Sequence, residues 1–180
     1  MNELVFRFFY GLTGSSPIFD RLVIFTASYL GWLFLGLAVI VLVWRGREEA
    51  APAERLSFVV LTTLGSWLIG VLIKWFWPLA RPFARLNEVV PLVAFNEPAS
   101  FPSLHATLFF TLGLTIYAID RRLGGWALLV ASLIGLARVT AGVHWPFDIL
   151  GGLVLALVAS SLGLFVVRLI NPGFGRRIQS

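Results

Sequence analysis

From Leu22 to Trp44 the chain carries no charged residue. A helix needs about 20 consecutive apolar residues to cross a bilayer core, so this stretch is long enough to span one. Comparable stretches follow at about Leu56–Trp77, Ser103–Ile119, Trp126–Val143 and Pro146–Ile170. Composition agrees, since 58% of residues are hydrophobic and 13% charged, with a mean hydropathy of +0.89. Soluble domains lie nearer half apolar and a quarter charged. The expected fold is all-α, a polytopic membrane helix bundle with about five transmembrane helices. The length suits a single domain over residues 1–180.

The segments between the spans are short and distinct. Residues 1–12, MNELVFRFFYGL, are too few to span. Leu4, Val5, Phe8, Phe9 and Leu12 share one helical stripe while Glu3 and Arg7 share another, which predicts a short interfacial N-terminal helix. Glu3 and Arg7 also interrupt any apolar core of a cleavable signal, and no A-x-A site follows. TGSSP at 13–17 reads as a turn. RGREEAAPAER (45–55) is a charged loop, and DRRLGG (120–125) closes the third span. Pro78–Pro102 holds five prolines and reads as a surface loop with some local order at most.

Charge then orients the bundle. Arg45, Arg47, Arg55, Arg121, Arg122, Arg176 and Arg177 fall in the first loop, the third loop and the tail, which five spans place on one side. That side is expected to be cytoplasmic by the positive-inside rule. The formal net charge of +5 is accounted for by these loop arginines, so a nucleic-acid partner is not expected. The absence of cysteine excludes disulfides and thiolate metal sites. Pro78–Pro102, the GVHWP turn and the N-terminal helix then face outward, and both histidines of the chain lie there.

Three clusters on that outer side carry the chemistry: KWFWPLARP with Lys74 and Arg81, FPSLH with Ser103 and His105, and ARVTAGVHWPFD with Arg138, His144 and Asp148. Each has an ordinary reading as well. Lys74 is placed to snorkel from a span end, and Arg81 alone is a loop arginine. Ser103 after Pro102 is a natural N-cap for the third span, although a helix N-terminus with free N–H groups also suits an anion. Asp148 in the first turn after Pro146 is favoured by the helix dipole. It is equally placed to accept a hydrogen bond from one ring nitrogen of His144, leaving the other to attack. Arg138 is harder to explain structurally, because a guanidinium within a span is costly and is usually partnered and functional.

Together the clusters bring three cations, two histidines, one hydroxyl and one carboxylate to one side of a chain with few charges. Three cations with helix-end amides suit a phosphoryl group, whose transition state spreads charge over its equatorial oxygens. Two histidines offer a nucleophile and a proton donor. No acidic cluster is present to hold a metal, so transfer without metal or other cofactor, through a covalent phosphohistidine, is expected.

In this order Lys-x6-Arg-Pro, Pro-Ser-x-His and Arg-x5-His-x3-Asp resemble the three signature motifs of the type-2 phosphatidic acid phosphatase superfamily. The resemblance covers roughly Leu56–Leu169 by motif. The interfacial helix, five spans and small size look like the bacitracin-resistance type of undecaprenyl-diphosphate phosphatase. That resemblance implies His144 as nucleophile, Asp148 as its orienting partner and His105 as acid to the leaving group. It also implies Lys74, Arg81, Ser103, Arg138 and the Leu104 amide as phosphate ligands. It further implies a bacterial cell-membrane enzyme that hydrolyses undecaprenyl diphosphate at the outer face, recycling the lipid carrier of the cell wall. Phosphatidylglycerophosphate or phosphatidate with the same chemistry, or a non-enzymatic lipid-headgroup transporter, are the alternatives. Two positions depart from the family pattern: Leu104 stands where a glycine is usual, and Ala137 where a serine is.

Overall fold

In lipid every backbone N–H and C=O must be bonded internally, and helices satisfy this within one segment. The computed structural model describes residues 1–46, 52–94 and 97–174, and among them every regular element is a helix. They are α1 (Asn2–Tyr10), α2 (Pro17–Phe25), a π-helical turn (Thr26–Leu30), α3 (Gly31–Gly46), α4 (Pro52–Phe76), α5 (Pro82–Arg85), α6 (Leu104–Ile119), α7 (Arg121–Thr140) and α8 (Pro146–Ile170). Arg47, Arg176 and Arg177, used above for orientation, lie outside the described residues.

Among the described residues, four stretches are long and apolar enough to cross a membrane: Pro17–Trp44, Ala53–Phe76, Arg121–Thr140 and Pro146–Ile170. The first begins five residues before the uncharged run, because Pro17 suits the opening position of a helix and Asp20 its first turn. The remaining apolar helix, α6, has 16 residues, about 24 Å at 1.5 Å per residue. That is shorter than a bilayer core of about 30 Å, and the reason lies in its surroundings. Helices α4, α7 and α8 pack around α6. Ala106, Phe109, Phe110, Leu112 and Ile116 are all buried. A helix enclosed by protein need not match the thickness of the lipid.

Lipid supplies no hydrophobic drive between helices, so close contact and hydrogen bonds hold them. Gly152 of α8 shows the first: a Cβ there would lie 2.7 Å from Ala106 Cβ and 2.9 Å from Thr107 N. Hydroxyls supply the second. Thr107, Thr111 and Thr115 are fully buried along one line of α6, and Ser66 of α4 meets Thr111 hydroxyl to hydroxyl at 2.9 Å. The outer faces carry exposed Leu33, Leu37, Leu61, Leu68, Val154 and Leu162, as a lipid-facing surface requires. Trp75 and Trp77 stand exposed at the end of α4, where interfacial aromatics anchor a span.

The end of the bundle that carries both histidines is closed by two pieces. Helix α1 exposes Leu4 and Phe8, and Leu12 just beyond it, from the stripe expected to meet the interface, and anchors itself by Phe6 on its other side. The Phe6 ring packs on Trp145 at 5.1 Å and on Tyr10 at 5.5 Å. Arg7 pairs with Glu88 at 2.8 Å, and Tyr10 Oη donates to Val90 O at 3.1 Å. The second piece is Pro78–Pro102. In place of a surface loop, its described residues, 78–94 and 97–102, form a folded plug: Ala80 and Ala99 form a β-bridge, and Ser100 N donates to Leu79 O at 2.7 Å. Arg81, Pro82, Val89, Val93, Ala99 and Ser100 are buried. Its prolines disfavour helix without preventing tertiary packing, which periodicity does not register.

The α6–α8 contact carries the histidine-bearing turn, so it is a site for a steric test. Gly152→Val is expected to lower stability by about 1–3 kcal/mol, the usual cost of overpacking. Gly65→Ala, whose Cβ would meet nothing within 4 Å, is expected to leave it unchanged. Thermal unfolding of both variants in detergent measures this, and equal midpoints would contradict the packing role of Gly152.

Candidate active site

Helix ends put the chosen residues together. Ser103 caps α6, its Oγ accepting from Ala106 N at 3.4 Å, and Ser103 N donates to Asp148 O at 3.0 Å. The start of α6 is thereby tied to the first turn of α8. Between α7 and α8 the chain turns through Gly142 at φ +80°, a left-handed conformation that favours glycine. That turn delivers His144 and Trp145 to the entrance of α8. Asp148 caps α8 through its Oδ2, which accepts from Trp145 N at 2.7 Å. The same Oδ2 lies 3.3 Å from His144 Nδ1. The dipole-favoured place in the first turn and the contact with the imidazole, weighed above as alternatives, coexist in this residue.

The other ring nitrogen, His144 Nε2, lies 3.3 Å from Arg81 Nη1. A carboxylate only accepts and a guanidinium only donates, so the proton of a neutral His144 sits on Nδ1 and the lone pair on Nε2. Burial first, and then the positive charges of Arg138, Arg81, Lys74 and a protonated His105, push the imidazole well below its usual range. Arg81 is 1% exposed; burial pushes it down to about 10 against the opposing pull of Glu97 and Asp148, and it remains a cation at neutral pH.

Backbone carbonyls hold these cations. Lys74 Nζ donates to Ala99 O at 2.8 Å and Ser100 O at 3.2 Å. Arg81 donates to Glu97 O and to Val143 O, both at 2.6 Å. Arg138 Nη1 donates to Ala27 O in the π-helical turn at 3.2 Å. A carbonyl dipole solvates a cation without cancelling its charge, so the pocket stays positive.

A cavity of about 210 Å³ opens here, lined by Lys74, Arg81, Leu104, His105 and His144 together with Glu97, Trp32, Trp67, Leu108 and Phe109. Ser103, Arg138 and Asp148 are buried and are not among its lining residues. Leu104, the departure from glycine, finds its room in α4: a Cβ on Gly70 would lie 3.0 Å from Leu104 Cδ2. Ala137 is buried in a cluster with Val23, Ala27, Val93, Ala141 and Val143. Among the described residues no three His, Asp or Glu side chains gather as a metal site would require.

Sequence reasoning missed two residues here. Glu97 lines the cavity mouth with an exposed carboxylate 3.9 Å from Arg81 Nη2. Ser100 is fully buried, and its Oγ donates to Asp148 Oδ2. Only the neighbouring FPSLH motif could have drawn attention to Ser100.

A cationic pocket with a buried, carboxylate-oriented imidazole, set at one end of a lipid-facing bundle, defines a multi-pass membrane protein built to engage an anion. The PAP2 superfamily pattern matches residues 55–171, and the chain belongs to that superfamily. It is 31% identical over 162 residues to the bacitracin transport permease protein BcrC of Bacillus licheniformis, covering 89% of this chain and 77% of the relative. It is 27% identical over 173 residues to the undecaprenyl-diphosphatase BcrC of Bacillus subtilis, covering 96% and 87%. The crystal structure of Aquifex aeolicus LpxE shares the fold, with a TM-score of 0.76 at 24% identity over 91% of this chain and 94% of that one. The chain is a membrane lipid phosphatase.

Because its pKa is lowered, His144 is expected to remain neutral as pH falls through the ordinary histidine range of about 6.5. In ¹⁵N-histidine spectra of the ligand-free protein at pH 6, it should show a protonated Nδ1 and a bare Nε2. The signal is assigned by its loss in His144→Gln. An imidazolium at pH 6 would contradict the electrostatics.

Proposed function

We propose that the chain hydrolyses undecaprenyl diphosphate to undecaprenyl phosphate and inorganic phosphate through a phosphohistidine at His144. The observation that carries this is the pair of contacts on the imidazole: Nδ1 against Asp148 Oδ2 and Nε2 toward the cationic cavity, each at 3.3 Å. Nε2 attacks the terminal phosphorus as the bridging P–O bond breaks, and the polyprenyl phosphate departs with its electron pair. His105, lining the same cavity, supplies a proton where the departing oxygen needs one. Water then attacks phosphorus, the N–P bond breaks, and phosphate leaves. Lys74 and Arg81, with the charge of the buried Arg138 that also reaches His144, oppose the charge of the transferring group. Ser103 Oγ accepts from Ala106 N and keeps a proton to donate, and the Leu104 amide belongs to a first turn with no intrahelical acceptor. Phosphoryl oxygens are the partners both suit.

A lipid substrate is supported by the cavity's apolar wall. Trp32 of α3 and Trp67 of α4 line it and are 63% and 36% exposed on the membrane side. A chain attached to the headgroup leaves between them into lipid. The name of the Bacillus subtilis relative, matched over nearly its whole length, favours a polyprenyl diphosphate. Phosphatidylglycerophosphate and phosphatidate are the competing substrates, and headgroup transport without chemistry is the competing class, echoed in the Bacillus licheniformis relative's name.

Phosphate release by the purified protein in the presence of EDTA separates these readings. Undecaprenyl diphosphate is expected to turn over faster than phosphatidylglycerophosphate or phosphatidate, and His144→Ala to abolish release from all three. His105→Ala is expected to lose about 10²–10⁴-fold on phosphatidate, the usual worth of a general acid, and least on the diphosphate, whose leaving group departs as an anion. Release surviving in His144→Ala would overturn the covalent route, and a preference for phosphatidylglycerophosphate would change the substrate.

The active site is proposed to face the cell exterior, from the arginines of the loops on the other side. In this cysteine-free chain, Asn87→Cys should label in intact cells with an impermeant maleimide and Gly125→Cys should not. Asn87 is exposed on the outer plug, and a Cβ on Gly125 meets nothing within 4 Å, so neither change disturbs packing. The reverse labelling pattern would invert the topology.

A further inference from the structure

Asp148 Oδ2 receives three donors from two places in the chain. Trp145 N lies at 2.7 Å and His144 Nδ1 at 3.3 Å, both from the turn that enters α8. The third, Ser100 Oγ, arrives from the end of the plug, 48 residues earlier. Ser100 is fully buried, and its main chain is already fixed: N donates to Leu79 O at 2.7 Å, and O accepts from Lys74 Nζ at 3.2 Å. Its hydroxyl is therefore an additional contact, made to the carboxylate that meets His144 Nδ1.

We infer that Ser100 is a positioning residue for His144, acting through the Asp148 carboxylate. The inference rests on the reading of His144 as nucleophile. The backbone N–H of Trp145 restrains Oδ2 from one direction, and the Ser100 hydroxyl restrains it from another. With both in place the carboxylate has one rotational setting and presents Oδ2 to the Nδ1–H of His144. The ring then aims Nε2 at the cavity. Without the Ser100 hydroxyl the carboxylate turns about its terminal torsion, which is broad and two-fold in aspartate, and the ring loses its fixed aim. The same serine, through its carbonyl, holds the ammonium of Lys74. One residue thus sets the nucleophile's partner with its side chain and a phosphate-facing cation with its main chain.

Ser100→Ala removes only the hydroxyl and retains both main-chain contacts. On undecaprenyl diphosphate, kcat is expected to fall about 10- to 100-fold, the size of a lost hydrogen bond to an ionised group. KM should change less than about 2-fold, since the Lys74 contact survives. In ¹⁵N-histidine spectra the His144 Nδ1 resonance should shift, a change that a merely space-filling serine would not produce. Ser100→Cys, similar in size but a weaker donor, should fall between wild type and alanine, and it carries the test if the alanine variant fails to fold. Wild-type kcat in these variants, or a lost kcat with the His144 Nδ1 signal unmoved, would overturn the inference. Turnover persisting in His144→Ala would overturn the nucleophile reading and this inference with it. Abolished turnover in His144→Ala alongside normal turnover in Ser100→Ala would overturn the inference alone.

Discussion

A carboxylate buried at the head of a lipid-embedded helix is tolerable only if donors surround it. Asp148 meets that demand with a single oxygen that serves Trp145 N, His144 Nδ1 and Ser100 Oγ. Those three donors belong to the α7–α8 turn and the end of the plug. The main-chain oxygen of the same residue accepts from Ser103 N, at the cap of α6. One aspartate therefore joins the plug, the turn, α6 and α8, and the position of the imidazole follows from that junction.

Around it the protein accumulates like charge. Lys74, Arg81 and Arg138 are all buried near two histidines, an arrangement that bulk water would screen and a membrane bundle does not. Carbonyl oxygens of Ala27, Glu97, Ala99, Ser100 and Val143 stabilise the three. Carbonyls solvate a cation while leaving its charge in place, so the pocket keeps a positive potential. Burial first, and the same positive charges after it, hold His144 neutral.

The lipid environment shapes the scaffold in a complementary way. The spans show large apolar side chains outward and small or hydroxylated residues inward, with α6 wrapped by its neighbours. Close approach at Gly152 brings α8 onto α6, and with it the turn that bears His144. Gly70 of α4 makes room for Leu104, so the bulk of that unusual residue is absorbed by the bundle beside the cavity.

Much of this was legible in the sequence because it depends on local pattern. Uninterrupted apolar runs set the spans by bilayer thickness, and charge along the loops suggested an orientation. Lys74, Ser103, His105, His144 and Asp148 stood out as polar groups at span ends, Arg138 as a guanidinium within a span, and Arg81 by its place in the KWFWPLARP cluster. Only the tertiary structure decided that Pro78–Pro102 folds inward as a plug, that Phe6 rather than the α1 stripe anchors the interfacial helix, and that Ser100 meets Asp148. Each of these is a contact between residues far apart in the chain. Helical periodicity and hydropathy describe how a segment meets lipid, whereas such contacts depend on how segments pack against one another once lipid has aligned them.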